Sequence, residues 1–199
     1  MAAPCTMILL DPELEPDRAL ASANARKTAA SGPLKNLHIP STRALGRFLA
    51  QAQDVVGLSG QVTVLLTTDA TLRGLNRRFR GKDVATDVLS FPSTNPAPGP
   101  ERIAGDVAIS VETAWKQAAE QGHALGVELR VLTLHGLLHL AGYDHETDAG
   151  KMQRRERQLR EKLGLPQGLI ERAAPERGSA PRSRSAASGY ARATRRRKP

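Results

Sequence analysis

Three histidines in the segment HGLLHLAGYDH are spaced as ligands of a metal ion. His135 and His139 are four residues apart, so on a helix their side chains project from one face, about one turn apart. Gly142 can take the left-handed conformation that ends a helix, and a chain that turns back there can bring His145 towards the other two. Zinc centres with three histidines usually keep a fourth position for water or substrate. The spacing therefore predicts a reactive site that holds one metal ion per chain, and histidine ligands suit zinc as well as other transition metals such as nickel.

The residue after the first histidine restricts the chemistry of such a site. Metzincin proteases share this histidine spacing but place a glutamate where this chain has Gly136. Peptide hydrolysis needs a carboxylate that takes a proton from the attacking water, and glycine cannot do this. Three uncharged ligands leave the ion its full charge, which favours an anionic substrate such as a phosphate ester. Asp144 and Glu146 remain possible bases, although Asp144 is expected instead to orient a histidine by accepting its ring proton.

The elements that must position these residues are predicted from periodicity and capping residues. Strands are predicted at 7–11, 61–67, 86–91 and 106–111, and a proline-rich loop at 92–105. Five helices are predicted. The first follows a cap at Ser41 or Thr42, and the second runs from a cap at Thr68 or Asp69 to Arg80. The third contains Trp115 and ends near Gly122, the fourth runs from about Val127 through the first two histidines, and the fifth runs from about 147 to 163. Strands and helices without strict alternation predict an α+β fold, in which several helices cover a small mixed β-sheet. The metal site is expected in a cleft at the end of a central helix.

Length and composition predict one domain in a reducing compartment. Residues 1–172 are expected to form that domain, with a variable insertion at about 12–40. Cys5 is the only cysteine, which excludes an internal disulfide and any disulfide partner within the chain. The sequence shows no secretory signal pattern and no apolar run near the roughly 18 residues that cross a membrane. A cytoplasmic protein without membrane contact is therefore expected.

The net charge of +9 is concentrated at one end of the chain. Residues 173–199 contain eight lysines and arginines but only one acidic residue, Glu176. Nucleic acid is a natural partner for such a segment, because each phosphate that it neutralises releases bound counterions. A solubilising, disordered tail is an equally good interpretation, since the segment has little to bury.

Several separated motifs, in the same order along the chain, resemble the YbeY family of bacterial rRNA maturation factors, which are metal-dependent endoribonucleases. These motifs are LNRRFRGKDVATD at 75–87, TDVLSFP at 86–92, GDVAIS at 105–110 and HGLLHLAGYDHETD from 135 onwards. The resemblance implies single-strand-specific RNA cleavage, maturation of the 3′ end of 16S rRNA and a role in ribosome quality control. It also implies zinc bound by His135, His139 and His145, with rRNA and small-subunit ribosomal particles as partners.

The resemblance implies a catalytic role for one arginine as well. Arg80 closes a segment that reads L-N-x-x-Y-R in the family, although Phe79 replaces the tyrosine here. A planar guanidinium can pair with two phosphate oxygens and offset charge that develops during cleavage. Arg77, Arg78 and Lys82 add positive charge and can contact an RNA backbone, but a solvated helix end explains each of them equally well.

Two other functions remain compatible with the sequence. A zinc-dependent protease would use the metzincin-like spacing without the usual glutamate. A non-catalytic ribosome assembly factor would hold a structural metal and dock through the basic tail, and it would unfold when a histidine ligand is replaced.

Overall fold

The described residues of this chain form a four-stranded mixed sheet and five α-helices. A computed structural model describes residues 6–14, 39–94, 102–145 and 148–166. The strands are β1 (Met7–Leu10), β2 (Gln61–Thr67), β3 (Val88–Pro92) and β4 (Ile103–Ser110). The helices are α1 (Thr42–Val56), α2 (Asp69–Arg80), α3 (Val111–Gln121), α4 (Leu125–Leu140) and α5 (Lys151–Leu163). The predicted α+β class is confirmed, whereas the tail at 173–199 and most of the insertion at 12–40 lie outside the described residues.

The strand order is β1-β2-β4-β3, and it makes the sheet mixed as predicted. β1, β2 and β4 are parallel neighbours, whereas β3 runs antiparallel to β4 at the edge. β2 alternates between buried and half-buried positions over most of its length, as a strand covered mainly on one face should. None of the helices in the described ranges is long and apolar enough to span a membrane.

Helix α4 forms the centre of the hydrophobic core. Twelve of its sixteen residues are buried, so it is enclosed around most of its circumference. It packs against α1, α3, α5 and the strands β3 and β4. Five leucines of this helix have no exposed surface, and each buried leucine side chain contributes roughly 1.5–3 kcal/mol to stability: Leu129, Leu132, Leu134, Leu137 and Leu138. The helix that carries His135 and His139 is therefore held from several sides.

Gly136 allows α4 to approach the sheet closely. A Cβ atom at this position would lie 2.7 Å from Val107 Cγ1 and 3.2 Å from Ser90 Oγ. Ser90 uses the same proximity to donate a hydrogen bond of 3.2 Å to the carbonyl oxygen of Gly136. The glycine thus faces β3 and β4, and its missing side chain is a packing requirement.

Helices α2 and α3 cap each other at their N-termini. The backbone N–H of Asp69 donates to the Glu112 carboxylate at 2.6 Å, which satisfies a free donor in the first turn of α2. In return, the Asp69 carboxylate accepts hydrogen bonds from Ser110 and Thr113, where α3 begins, and from Lys116 one turn later. This exchange fixes the start of α2, whose other end carries Arg80.

Side-chain capping explains why some predicted strand bounds were wrong. β3 begins at Val88 rather than 86, because the Asp87 carboxylate accepts the Val88 N–H at 2.8 Å. β4 ends at Ser110 rather than 111, since the Ser110 hydroxyl caps the first turn of α3. The predicted loop at 92–105 is too long, because Pro92 closes β3 and β4 already begins at Ile103. Proline is tolerated there because β3 is an edge strand.

The last two helices also begin at other residues than predicted. α4 starts at Leu125, two residues before the predicted position. α5 starts at Lys151 rather than near 147, because the Asp148 carboxylate accepts the backbone N–H groups of Gly150, Lys151 and Met152. A carboxylate at this position stabilises the start of a helix by satisfying its free donors.

Replacing Gly136 by alanine is expected to lower the free energy of unfolding by about 1–3 kcal/mol, because the new methyl group overlaps Val107. Urea titration followed by circular dichroism measures this change. Gly74→Ala is the matched control, since Gly74 lies within α2 and a Cβ atom added there would meet no neighbouring group within 4 Å. That variant should gain about 0.5–1 kcal/mol, and a Gly136→Ala protein as stable as Gly74→Ala would contradict the packing argument.

The Asp69 carboxylate should make stability depend on pH in the acidic range. Partial burial alone would raise the pKa of Asp69, but hydrogen bonds from Ser110, Thr113 and Lys116, with the Lys116 charge, lower it below 3.8. Its contribution is therefore present above the unfolded-state pKa and is lost as pH falls through the lower folded-state value. In urea titrations between pH 6 and pH 2.5, chosen to bracket about 3.8, the stability difference between parent and Asp69→Asn should shrink on acidification. Asp106→Asn, which alters an exposed carboxylate on β4, should show no comparable change.

Candidate metal centre

The three predicted histidines converge at the C-terminal end of α4. One ring nitrogen from each of His135, His139 and His145 lies within 4.8 Å of the others. The Nε2 atoms of His135 and His139 are 3.1 Å apart. Two nitrogens that bind one zinc ion tetrahedrally lie about 3.3 Å apart. The group can therefore hold a single metal ion, at the end of the central helix where the sequence predicts it.

The turn after α4 brings the third histidine back, as the sequence predicts. Gly142 has a φ of +87°, in the left-handed region that favours glycine. The Tyr143 N–H donates to the Leu138 carbonyl at 3.0 Å, and the Gly142 N–H donates to the His139 carbonyl at 3.0 Å. These bonds satisfy carbonyl groups that the helix end leaves free, and they reverse the chain before His145.

His139 is held in the neutral form that a metal ligand requires. Burial is the main cause that lowers its pKa from 6.5 to about 4, and the neighbouring His135 and His145 lower it further. A backbone hydrogen bond with Tyr143 and the negative charge of Asp144 oppose this shift only in part. At neutral pH the imidazole is therefore uncharged, so a ring nitrogen can donate its lone pair to a metal ion.

His145 presents a buried nitrogen that a metal ion would satisfy. Within the described residues, its Nδ1 atom is buried and has no hydrogen-bond partner. An unsatisfied buried polar atom costs about 1–3 kcal/mol. A metal ion bound by this atom would remove this cost, and with the convergence of the three rings this makes the residues present fit such an ion.

Two buried charged residues of α5 orient His135, and sequence reasoning did not identify them. The Nδ1 atom of His135 lies 3.2 Å from Glu156 Oε2, and a carboxylate accepts that proton. Arg160 donates to Glu156 Oε1 from Nε at 2.7 Å and also from Nη2. Glu156 and Arg160 are only 2% and 1% exposed, so neither charge is compensated by bulk water. With its Nδ1 proton held by Glu156, His135 is left with Nε2 as its ligand atom.

The ionised state of Glu156 follows from its partners. Burial alone would raise the pKa of its carboxyl group, but the hydrogen bond with His135 and the positive charge of Arg160 outweigh burial and lower the pKa.

The signal for the pair of Glu156 and Arg160 is present in the sequence. Glu156 and Arg160 share the helical face of Met152 and Leu159, which is the buried face of α5. Charged residues at core-facing positions are rare unless they are paired.

Asp144 and Glu146, the two carboxylates that the sequence predicts near the histidines, differ in what the structure describes of them. Asp144 is half-buried, and its charge acts on the pKa of His139, so it lies near the cluster. The carboxylate that bonds to a ring nitrogen of His135 is nevertheless Glu156, from a different helix. Glu146 lies outside the described residues.

The predicted cationic residues lie together at the C-terminal end of α2. Arg80 is the last residue of the helix, and Arg77, Arg78 and Lys82 are exposed around it. Across the described ranges, no hydrogen bond or ion pair connects these four residues to the three histidines. Arg73, one turn earlier, is already paired with Asp83 at 2.8 Å.

Comparison with known proteins gives consistent matches. The sequence model of a family described as Endoribonuclease YbeY matches residues 34–164. A protein named Endoribonuclease YbeY from Koribacter versatilis is 54% identical over 138 residues, which cover 69% of this chain and 88% of that one. Another of the same name from Solibacter usitatus is 51% identical over 129 residues, covering 65% of this chain and 84% of that one. A solution structure from Thermotoga maritima covers 74% of this chain and 97% of its own at 27% identity, with a TM-score of 0.44.

Replacing Glu156 by glutamine is expected to weaken zinc binding about 10- to 100-fold, because the uncharged amide holds the Nδ1 proton of His135 less strongly. Competition with a chromophoric zinc chelator measures the affinity. Glu161→Gln is the matched control, since Glu161 is exposed on the same helix. Equal zinc affinity of the two variants would show that the hydrogen bond to His135 is not needed for metal binding.

Proposed function

The chain belongs to the YbeY family of endoribonucleases, and from this membership we propose that it is a zinc-dependent enzyme that cleaves single-stranded RNA. Its proposed substrate is precursor rRNA, cut during maturation of the 3′ end of 16S rRNA, rRNA processing and ribosome quality control. The proposed site of action is the small-subunit ribosomal particle in the cytoplasm. The observation that carries the proposal is the group of three convergent histidines at the end of a buried helix.

The donor set suits phosphate chemistry. We assign His135, His139 and His145 as the ligands of one zinc ion per chain, because their nitrogens converge and His139 is neutral at physiological pH. When bound, zinc supplies Lewis-acid polarisation of a phosphate ester and lowers the pKa of water. Glu156 keeps His135 in one tautomer, and the α4 core keeps the first two rings in one orientation.

The roles of the remaining predicted residues are proposed from charge and exposure. Arg80 is exposed, and the described residues place no carboxylate within ion-pair distance of it. Its guanidinium is therefore available to stabilise negative charge on the phosphate during cleavage. Arg77, Arg78 and Lys82 are proposed to hold the RNA backbone near Arg80. Asp144 is proposed either to orient His139 or to take a proton during the reaction, since its charge already acts on that ring.

The position of Gly136 argues against a protease. Residue 136 faces Val107 and Ser90 in the sheet. A glutamate side chain at this position would point towards β3 and β4. It would therefore disrupt the packing between α4 and the sheet. This helix therefore offers no room for the carboxylate base that the proteases place after their first histidine.

Arg80→Ala should lower kcat for RNA cleavage about 100-fold or more while the protein keeps stoichiometric zinc, because a positioned donor to the phosphate is lost. The assay uses purified, zinc-loaded protein and an RNA that carries the 3′ end of 16S rRNA with its precursor extension. Arg43→Ala is the control, since Arg43 is exposed in the first turn of α1. Equal cleavage by Arg80→Ala and Arg43→Ala would show that Arg80 has no role in the reaction. No cleavage by the parent protein would count against the proposed nuclease function.

The same assay separates a catalytic metal from a structural one. The leucine-rich core around α4 does not involve the histidine nitrogens, so zinc removal by a chelator should abolish cleavage and leave the circular dichroism spectrum of the fold unchanged. Unfolding on chelation would instead support the assembly-factor alternative, because domains that depend on structural zinc lose their fold without it.

A further inference from the structure

Phe79 is a large aromatic side chain that stays exposed although its orientation is fixed. It retains 57% of its surface in contact with solvent. Its ring packs against Phe91 in a T-shaped arrangement, with centroids 5.2 Å apart and an interplanar angle of 68°. The guanidinium carbon of Arg78 lies 5.3 Å from the centroid of the Phe79 ring, within the range of a cation–π contact. The ring is thus positioned by two neighbours without being buried by them.

The neighbours of Phe79 are themselves packed into the fold. Phe91 is half-buried and packs against a small cluster formed by Leu72, Leu89 and Ala108. Gly81 ends α2 directly after Arg80, and its left-handed conformation lets the Gly81 N–H donate to the Arg77 carbonyl at 3.2 Å. A ring held in this way loses little conformational entropy when a ligand stacks on it.

The charges around Phe79 favour a polyanion. Arg78, Arg80 and Lys82 are exposed, and no carboxylate in the described part of the chain lies within ion-pair distance of any of them. Basic residues near a helix C-terminus also stabilise the helix dipole, which explains why cations occur here. The dipole does not explain an exposed aromatic ring among them. Aromatic rings interspersed with free cations are typical of surfaces that bind single-stranded nucleic acid.

One edge strand connects this surface to the histidines. Phe91 contacts Phe79, while the preceding residue, Ser90, points to the other face of β3 and donates to Gly136, the residue next to His135. Within the described residues, β3 pairs with β4 only, so its outer edge is open. Adjacent residues of β3 thus contact Phe79 on one face of the sheet and the helix that carries His135 on the other.

We propose that Phe79 and Arg78 form a base-stacking subsite for RNA. One unpaired base stacks on the Phe79 ring beside the Arg78 guanidinium, and the adjacent phosphates contact Arg80 and Lys82. The inference rests on the proposed nuclease function and adds a reason for single-strand preference, because the faces of a base are covered in a duplex. The tyrosine of the family motif could stack equally well, so Phe79 retains the property that this subsite needs.

The test measures cleavage and stacking on the same substrate. Zinc-loaded protein is mixed with a single-stranded RNA that contains 2-aminopurine, whose fluorescence is quenched by stacking, and quenching is recorded by stopped flow before cleavage. Phe79→Ala and Phe79→Leu should raise KM roughly tenfold or more and lose the quenching, with kcat little changed, because stacking contributes equally to substrate and transition state. Phe79→Tyr should behave like the parent. Trp115→Leu alters an aromatic residue that is 38% exposed on α3 and should have no effect.

Salt dependence and base removal separate stacking from charge. The slope of log KM against log salt concentration should be unchanged in Phe79→Ala but shallower in Lys82→Gln, since only the latter removes a phosphate contact. An abasic site is then moved along the RNA one position at a time. At the position that stacks, the parent and Phe79→Ala should become equal in KM, because the parent has no base left to stack.

The outcomes distinguish this subsite from the nuclease itself. If the parent cleaves RNA and Phe79→Ala keeps the parent KM and quenching, the stacking subsite is wrong and the nuclease function stands. If Phe79→Leu retains the parent KM and quenching, the ring acts only through apolar packing and stacking is also overturned. If the parent neither quenches nor cleaves the RNA, both the subsite and the proposed function fall.

Discussion

The packing of α4 inside the protein is the constraint on which the candidate site depends. Two of the three histidines lie on this helix, and their directions are fixed only as far as the helix itself is fixed. Its leucines fill the space between the other helices and the sheet, while Gly136 removes the side chain that would hold the helix away from β4. Rotation of α4 would therefore expose leucines and break the contact with Val107. Because such a rotation would disrupt the whole core, the side chains of His135 and His139 keep their directions.

A second helix completes the site through buried charges rather than through a ligand. Glu156 and Arg160 are almost fully buried, and breaking such a pair usually costs several kcal/mol because the remaining charge is left without a partner. Their cost is balanced by mutual hydrogen bonds and by the bond from Glu156 to His135. The candidate ligand His135 and α5 are thus coupled, so a change in the position of one should shift the other.

The sequence predicts the parts of this site that are set by local spacing. The four-residue step from His135 to His139, followed by Gly142, defines a helical pair and a turn, and both occur in the structure. It predicts less where distant residues decide the outcome. Glu156 is brought to His135 by packing between α4 and α5, which no spacing rule specifies. The strand and helix ends at Asp87 and Asp148 depend on which donors these carboxylates reach, so their predicted bounds were wrong by up to four residues.

The hydrogen-bond chain that begins at His135 does not end within α5. Arg160 also donates from Nη1 to the carbonyl oxygen of Pro166, at 2.7 Å. This carbonyl lies after α5, in a stretch without regular secondary structure that a fragment based on helices and strands alone would omit. In the design of recombinant fragments, the C-terminal boundary therefore has to include the acceptor that ends this chain of hydrogen bonds from His135. A fragment cut at the end of α5 would remove an acceptor from the buried arginine, whereas a fusion joined after Pro166 would leave the whole chain of bonds intact.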